Sequence, residues 1–441
     1  MFEAIKLLVG VVSLIMVYRT ITGNCNKYLA FAICAIWLRY FLSAFHTITY
    51  PPLVAGFSIN ALGSIGVAGL GLLLIPTAVF TLKKLFPFYV FFTAIAVSGF
   101  VNMQIPGTIN VLVKWCYFLV LAGALFLSIR SQGQNETFKK LLVAFVMPVT
   151  LQVLSIVLGE AKATEADGST SFIGGYNHEA AFSMIIVSFI FVLGFVNRNA
   201  ISFRTTLFTI AIVLLILVNY RTAILTILPI AAIFYFTLVE QRLKPSQKAP
   251  VLTIVTMVLA IVFFALSLSM QERFADVGLL VGNLDLIFKS PMYFSDAEQD
   301  IMSARVYIWS QYINAFTNAD LLHQIFGFGP DSWKYKFDLY AHNTYVSYVY
   351  EYGYLGFFSF IGLLIFILSS AMKMSDKPLS KIIAFSIAGF LIMNLATMPL
   401  WNIEGLIFFA IALGVVFADP KKKVVASKIE VPKHTSKGLS I

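Results

Sequence analysis

The chain has 441 residues, of which 59% are hydrophobic and only 12% are charged. This composition lies far outside the range of water-soluble domains, because a soluble fold could not bury so much apolar surface. Apolar segments long enough to cross ~30 Å of hydrocarbon recur from one end of the chain to the other, which also excludes a soluble domain held by a single anchor. The sequence therefore predicts an all-α, polytopic membrane protein.

Thirteen apolar blocks follow one another along the chain, and each is a candidate transmembrane helix. They lie at approximately Ile5–Val17, Tyr28–Phe45, Leu62–Leu82, Phe86–Val101, Asn110–Ile129, Leu141–Leu158, Ala180–Val196, Thr205–Val218, Thr222–Val239, Val251–Met270, Tyr354–Met372, Ile382–Thr397 and Ile403–Phe417. The first block is interpreted as a short span, because no small-residue cleavage site of a signal peptide follows it. We expect about 12–13 transmembrane helices from these blocks.

The connections between the blocks alternate in charge. The basic ones are Arg19/Lys27, Lys83/Lys84, Arg130/Lys139/Lys140, Arg198/Arg204, Arg242/Lys244/Lys248, Lys373/Lys377/Lys381 and the tail from Lys421. By the positive-inside rule they face the cytoplasm, and they hold 21 of the 31 Lys and Arg. The net charge of +10 thus reflects orientation and contact with anionic lipid, and no nucleic-acid partner is expected. The remaining connections, including the acidic stretch with Glu160, Glu165 and Asp167, face outward; thirteen spans then place the N-terminus outside.

This alternation divides the chain into four parts. Transmembrane helices occupy 1–270, a large outer loop 271–341, the C-terminal transmembrane helices 342–418, and a basic cytoplasmic tail 419–441. The outer loop is too small and too aromatic for an independent soluble domain, so we expect it to lie on the membrane. Its blocks Arg305–Phe316 and Trp333–Tyr340 are predicted to be interfacial helices, with a turn at Gly327–Asp331 between them.

Four cations outside the cytoplasmic connections are candidates for a binding role, because ionisable side chains at membrane depth are costly and are usually functional. They are Arg39, Lys114, Arg221 and Arg305. The charge pattern puts all four toward the outer side, where they could line one positively charged cavity for a phosphate-bearing ligand. The alternative at each position is a structural cation that snorkels or pairs with a carboxylate.

Two histidines at outer junctions are candidates for proton transfer. His342 stands where the outer loop re-enters the membrane, and a neutral imidazole can accept a proton from an attacking hydroxyl. His178, in Gly174–Glu179, is the second candidate, and a structural role is the alternative for both.

Several common catalytic motifs do not occur in the sequence. It has no Gly-x4-Gly-Lys-Ser/Thr loop, no His-Glu-x-x-His and no Asp-x-Asp pair, so ATP hydrolysis and zinc proteolysis are unsupported. No metal and no cofactor are expected. A diphosphate handled by this chain would have to be neutralised by side-chain cations.

Four short elements follow one another in the outer loop and beyond it. They are Ser303–Trp309 with Arg-x3-Trp, Gly327–Asp331 with Gly-x-Gly, Ala341–Tyr345 with His-Asn, and Glu351–Gly356 with Glu-x-Gly-x-x-Gly. In order and spacing they resemble the O-antigen ligase and polymerase family, which comprises Wzy-type polymerases and WaaL-type ligases. Asn219–Thr222 is similar to the outer helix end that carries an arginine in this family, two spans before the loop. The resemblance covers roughly the second half of the chain.

The resemblance implies a metal-independent, inverting glycosyltransferase of the membrane-embedded, GT-C-like kind. It would lie in the bacterial inner membrane and act at the periplasmic face on undecaprenyl-diphosphate-linked glycans. Carried over, His342 would activate the acceptor hydroxyl, and Arg221 and Arg305 would bind the diphosphate leaving group. Family members often have twelve spans with both ends inside, from which the outside N-terminus expected here departs.

The other candidate site residues are either supporting residues or cations chosen by position. The supporting residues would be Asn343, Trp309, Glu351 and His178. Arg39 and Lys114 match none of the family's motifs, so their expected role in binding the diphosphate follows from position alone.

Three acceptors are compatible with the family. A polymerase would use a second lipid-linked glycan, a ligase would use lipid A-core, and an oligosaccharyltransferase would use a protein. We favour the polymerase because the re-entry segment is aromatic, with Tyr345, Tyr348, Tyr350, Tyr352 and Tyr354, although tyrosines at this depth also form ordinary membrane belts. The expected partners are glycan donor and acceptor, membrane lipids, a chain-length regulator and a flippase. A transporter is the rival of a different class, but no pair of matched halves is visible in the sequence.

Overall fold

The computed structural model describes residues 2–54, 56–163, 170–196, 200–269 and 278–419. The predicted features at Glu165, Asp167, Arg198, 271–277 and the tail at 420–441 lie outside these residues. The helices before the outer loop are α1 Phe2–Thr22, α2 Lys27–Ala44, α3 His46–Thr49, α4 Ile59–Leu74, α5 Thr77–Phe80, α6 Phe86–Val101, α7 Ile105–Gln132, α8 Gln134–Leu141, α9 Val146–Leu158, α10 Glu179–Phe195, α11 Arg204–Leu217, α12 Arg221–Arg242 and α13 Pro245–Ser269.

The outer loop and the C-terminal part add shorter and longer helices. They are α14 Asp296–Gln299, α15 Arg305–Thr317, α16 Leu321–Phe326, α17 Thr344–Met372, α18 Lys377–Ala396 and α19 Ile403–Ala418. Single turns of 3-10 helix lie at Lys83–Leu85, Leu142–Phe145, Leu284–Phe288, Pro291–Tyr293, Ser332–Tyr335 and Pro399–Trp401. The described strands form two small antiparallel hairpins, β1 Pro52–Val54 with β2 Phe57–Ser58 and β3 Lys162–Ala163 with β4 Thr170–Ser171.

The helices agree with the predicted apolar blocks. In the described part of the chain, eight helices are long and apolar enough to cross a membrane, and α4, α10, α11 and α19 are shorter apolar helices. Every predicted block overlaps a described helix, and the block Val251–Met270 overlaps α13. The prediction of an all-α, polytopic membrane protein is therefore confirmed. The N-terminal orientation stays a prediction.

The centre of the bundle is formed by helices that are apolar on every side. All residues of α19 from Ile403 to Ala418 are buried, and α10 is buried along most of its length. A helix that is hydrophobic all round is stable only when other helices surround it. Long helix α7 packs along α19, and the ring of Phe118 in α7 stacks on Phe409 in α19 at 5.3 Å.

One predicted interfacial helix of the outer loop is present and the other is not. Arg305–Phe316 corresponds to α15, which ends at Thr317. The predicted helix Trp333–Tyr340 is wrong, since only a 3-10 turn at Ser332–Tyr335 forms and the chain beyond it is irregular. Two side chains of α15 hold the end of this stretch instead, because Tyr312 donates to the carbonyl oxygen of Leu339 and Trp309 donates to that of Ala341.

The re-entry helix begins earlier than its apolar block and is kinked. Helix α17 starts at Thr344, and Gly353 interrupts it with a positive φ of 63°. A Cβ at Gly353 would lie 2.4 Å from the carbonyl oxygen of Ile325, so only glycine allows this approach of α16 to α17.

Candidate active site

A cavity of about 320 Å³ opens at one end of the bundle. It is formed by the junction between α2 and α4, the turn before α10, the junction before α12, the end of the outer loop, and the junction between α18 and α19. All of these are connections that the charge pattern assigns to the outer side. Its polar and aromatic lining includes Arg39, Asn60, His178, Tyr220, Tyr340, Trp401, Asn402 and Glu404.

Arg39 lines this cavity as half of an ion pair. Its Nε donates to Glu404 Oε1 at 2.8 Å, its Nη2 to Glu404 Oε2 at 3.1 Å, and its Nη1 to Asn60 Oδ1 at 2.7 Å. The side chains of Arg39 and Glu404 are only 11% and 1% exposed. Pulling the guanidinium toward a phosphate would leave Glu404 buried without its counter-charge, which typically costs about 3–5 kcal/mol. The alternative of a carboxylate-paired cation is therefore what the structure has at Arg39.

Lys114 lies behind the cavity wall rather than in it. Its ammonium sits over the ring of Trp401, 5.1 Å from the centroid. Trp401 in turn donates its indole N–H to Asp331 Oδ1 at 3.5 Å, and Asn110 and Lys334 each donate to Asp331 Oδ2 at 2.7 Å. Lys114 thus belongs to a polar cluster beneath the outer loop, and Trp401 separates it from the cavity.

His342 lies at the edge of the cavity, with its ring 3.9 Å from that of Tyr340. Its backbone is left-handed, with φ of 50°. Burial, the positive charge of Arg305 and, to a smaller extent, His178 lower the pKa of the His342 imidazole to about 4. The imidazole is therefore neutral at physiological pH and has a lone pair with which it can accept a proton.

Arg305 is the first residue of α15 and acts electrostatically on both His342 and Tyr220. Three consecutive left-handed residues, at 302–304, turn the chain into this helix, with φ of 55°, 55° and 63°. Non-glycine residues rarely adopt this conformation, and it concentrates at sites where the surrounding structure imposes it. Arg305 is partly buried at this position.

Arg221 is the first residue of α12 and directly follows Tyr220, which lines the cavity. Asn219, two residues earlier, has a left-handed φ of 56° and makes the tight turn between α11 and α12. Since adjacent Cα atoms are 3.8 Å apart, the backbone of Arg221 lies next to Tyr220, a residue of the cavity lining on which the charge of Arg305 also acts.

His178 lines the cavity and caps α10. Its Nδ1 accepts a hydrogen bond from the backbone N–H of Ala180 at 3.1 Å. That bond occupies Nδ1, so a neutral His178 carries its proton on Nε2. The structural role expected as the alternative for this histidine is therefore what the structure has.

The backbone around His342 is held from both sides. Trp309 Nε1 donates to the carbonyl oxygen of Ala341 at 2.8 Å, and the Tyr312 hydroxyl donates to that of Leu339 at 2.9 Å. On the other side, Asn343 Oδ1 accepts from the N–H groups of Tyr345 and Val346 and thereby caps α17. These bonds maintain the left-handed conformation of His342 and the position of its ring.

The Gly-x-Gly element at Gly327–Asp331 docks on the Glu-x-Gly-x-x-Gly element at Glu351–Gly356. The N–H of Gly329 donates to the carbonyl oxygen of Glu351 at 2.9 Å, and the N–H of Asp331 donates to Glu351 Oε2 at 3.3 Å. A Cβ at Gly327, where φ is +74°, would lie 2.3 Å from the same carbonyl oxygen of Glu351. Glu351 therefore fixes the outer loop onto α17 and lies away from the cavity.

Three of the five re-entry tyrosines are buried in the protein. Tyr348, Tyr350 and Tyr352 are only 4%, 2% and 2% exposed. Tyr348 and Tyr352 pack on Phe91 of α6, and Tyr350 packs on Phe328 of the outer loop. These three rings serve packing, so they give no support to a polymerase over a ligase.

Sequence reasoning missed the residues that line most of the cavity, above all Glu404. The available signal was its position, because a lone carboxylate near the start of an apolar block needs a cationic partner at the same depth. Arg39 was the matching cation near the outer end of another block. Tyr340 and Trp401 gave no local signal, since aromatic residues are common at membrane interfaces.

A family model described as O-antigen ligase matches residues 206–361. The matched range includes Arg221, Arg305 and His342, while Arg39, Lys114 and His178 precede it. A comparison with curated proteins gives no match to the chain. The resemblance drawn from the four short elements is thereby confirmed, since residues 206–361 match the O-antigen ligase family model.

Proposed function

We propose that the chain is a glycosyltransferase that transfers a glycan from undecaprenyl diphosphate to the sugar hydroxyl of a second lipid-linked glycan, as a polysaccharide polymerase does. One observation supports this proposal above the others: the charge of Arg305 acts on both the imidazole of His342 and Tyr220, the cavity residue that directly precedes Arg221. The matched family supports lipid-linked saccharides as the substrate class. We place the reaction at the periplasmic face of a bacterial inner membrane.

His342 would act as the general base. Its neutral imidazole would take the proton of the acceptor hydroxyl as that oxygen attacks the anomeric carbon of the donor. The bond between this carbon and the diphosphate oxygen breaks on the opposite face, so the configuration inverts in a single displacement.

Arg305 and Arg221 would bind the departing diphosphate. Negative charge builds up on the diphosphate as the glycosidic bond breaks, so fixed cations stabilise the transition state more than the bound substrate. Guanidinium groups suit this role because they bind phosphate oxygens in pairs and stay protonated where water is scarce. The bound diphosphate would also offset the charge of Arg305 on His342 and make the imidazole a stronger base.

The lining of the cavity favours an uncharged acceptor. Arg39 and Glu404 compensate each other, and the residues around them are mainly amides, hydroxyls and aromatic rings. Lipid A-core, the acceptor of a ligase, is rich in phosphate and would find no unpaired cation at this ion pair. We therefore propose the polymerase first, with the ligase as the alternative.

The deciding experiment uses the purified protein in liposomes with a lipid-linked oligosaccharide, and mass spectrometry of the products. A polymerase elongates the glycan without ATP or an ion gradient. Movement of the substrate across the bilayer without a new glycosidic bond would instead identify a transporter. In a deletion strain, single repeats on the lipid carrier would support the polymerase, whereas full-length polymer on the carrier would identify a ligase.

A further inference from the structure

We propose that the cavity is a sugar-binding site in which the ion pair of Arg39 and Glu404 binds the hydroxyl groups of a sugar ring. This inference rests on the proposed function and assigns the place where the transferred or accepting glycan lies. It gives Arg39 a role other than the diphosphate binding expected from its position.

The ion pair retains hydrogen-bonding capacity toward the cavity. A guanidinium has five N–H donors, and the three bonds to Glu404 and Asn60 are those that Arg39 makes among the described residues. Ser43 adds one donor to Glu404 Oε1 at 2.9 Å. Both partners line the cavity, and Arg39 is the more exposed of the two, at 11% against 1% for Glu404. The N–H groups of Arg39 that are not used by Glu404 and Asn60 are therefore available to donate to a sugar hydroxyl, while Glu404 fixes the guanidinium in place.

An ion pair that served stability alone would be unusual at this depth in the membrane. Burying two charges costs several kcal/mol each before their mutual attraction is counted, and apolar residues of similar volume often serve stability equally well. The orientation of the chain in the membrane does not explain Arg39 or Glu404 either, since neither residue lies in a cytoplasmic connection. Hydrogen bonds from charged groups to a ligand are about twice as strong as those between neutral groups, which gives the pair a function in binding.

An aromatic wall joins the ion pair to the proposed base. The ring of Tyr340 lies 3.9 Å from the ring of His342. It also stacks on the ring of Trp401 at 5.5 Å, and Trp401 lies three residues before Glu404 in the chain. Aromatic faces present flat apolar surface to the C–H groups of a sugar ring. A sugar packed on this wall would have hydroxyls at the ion pair on one side and at His342 on the other.

The size of the cavity and its buried ion pair fit a short glycan end rather than a lipid chain. Its volume of about 320 Å³ lies at the low end of small-molecule sites. An alkyl chain placed there would cover the ion pair and the amides of Asn60 and Asn402 without offering them hydrogen bonds. The lipid of either substrate would remain in the bilayer.

The binding test compares two probes on the full-length protein in detergent by calorimetry. One is the oligosaccharide released from its lipid by mild acid, and the other is undecaprenyl diphosphate without sugar. Asn402→Ala removes one amide whose side chain makes no cap bond to α19, and we expect it to weaken oligosaccharide binding about fivefold to tenfold. Glu404→Gln should weaken it about tenfold to a hundredfold, and both variants should bind the lipid diphosphate as the unmodified protein does.

Asn318→Ala in the outer loop is the matched control, because its amide donates to the carbonyl oxygen of Asn314 at its own helix end and lies outside the cavity lining. Oligosaccharide binding equal in all three variants would overturn the inference. Loss of lipid-diphosphate binding in Glu404→Gln would overturn it as well, because Arg39 would then be a phosphate ligand. Asn402→Ala keeps the test valid if Glu404→Gln proves unstable.

Steady-state kinetics in the same preparations distinguish the source of the sugar. A raised KM for the acceptor in Asn402→Ala assigns the site to the acceptor, and a raised KM for the donor assigns it to the donor. If the unmodified protein elongates the glycan but Asn402→Ala changes neither the acceptor KM nor the donor KM, this inference is overturned while the proposed function stands. Absence of elongation by the unmodified protein would instead overturn the proposed function.

Discussion

The rings of Tyr340 and His342 lie 3.9 Å apart at the edge of the cavity, and this contact joins the proposed base to the aromatic wall. The two residues belong to a segment that α15 holds through two hydrogen bonds to backbone carbonyls. The position of the imidazole therefore depends on the outer loop as much as on the membrane helices.

Replacing the proposed base is expected to remove transfer without removing the protein. His342→Ala should lower the rate by about 10²–10⁴, the usual contribution of general base catalysis. Polysaccharide ladders on gels and immunoblots of the membrane fraction measure both quantities. His323→Ala is the control, since His323 is a partly exposed loop histidine paired with Asp320. Normal ladders from His342→Ala would remove this residue from the mechanism.

Replacing either proposed diphosphate ligand should have a comparable effect. Arg305→Ala and Arg221→Ala are each expected to lower the transfer rate by about 10²–10³, the typical loss when one stabilising donor is removed. Arg305→Lys should retain part of the activity, because it keeps the charge but loses the paired geometry. Lys336→Ala, an exposed cation of the same loop, is the control. Equal rates in Arg305→Ala and Lys336→Ala would contradict the assignment.

The pH dependence of transfer should report the environment of His342. Its pKa is lowered to about 4, so the base is neutral at pH 7 and becomes protonated only as the pH falls toward that value. We expect kcat/KM, which reflects the free enzyme, to stay level across neutral pH and to decline only toward pH 4. The decline in kcat should begin at a higher pH, because bound diphosphate offsets the charge of Arg305. A decline in kcat/KM centred near the ordinary pKa of histidine would contradict this environment.

Trp309 is predicted to position His342 through one hydrogen bond. Trp309→Phe retains a ring but loses the bond to the Ala341 carbonyl, so kcat should fall several-fold while substrate KM changes little. Trp333→Phe is the matched control, because the indole N–H of Trp333 is buried without a hydrogen-bond partner in the described part of the chain. Equal kcat in the two variants would show that the indole bond does not position the base.

Gly327 is predicted to be required for docking of the outer loop on α17. Gly327→Ala combines a strained φ of +74° with a Cβ 2.3 Å from the Glu351 carbonyl oxygen, so the thermal unfolding temperature should fall. Gly56→Ala is the matched control, because Gly56 has a similar φ of +80° but no atom within 4 Å of the added Cβ. The difference between the two variants isolates the close approach. Equal unfolding temperatures would contradict its importance.

Much of the architecture follows from local properties of the sequence. Long apolar blocks must form helices in lipid, because each backbone N–H and C=O has to be bonded within the segment. The thirteen blocks therefore predicted the long apolar helices, and the charges between them grouped the connections that meet at the cavity. Local pattern misled at Trp333–Tyr340, where the spacing of aromatic residues suggested a helix but only a 3-10 turn forms and α15 binds the end of the stretch.

The sequence by itself determined that this is a helical membrane protein, and its short elements indicated the family and the candidates His342, Arg221 and Arg305. Only the tertiary structure decided that Arg39 pairs with Glu404, 365 residues later, and that Tyr340 and Trp401 line the same cavity. The physical reason is that helix formation depends on neighbouring residues, whereas the partner of a buried charge depends on how helices distant in sequence pack.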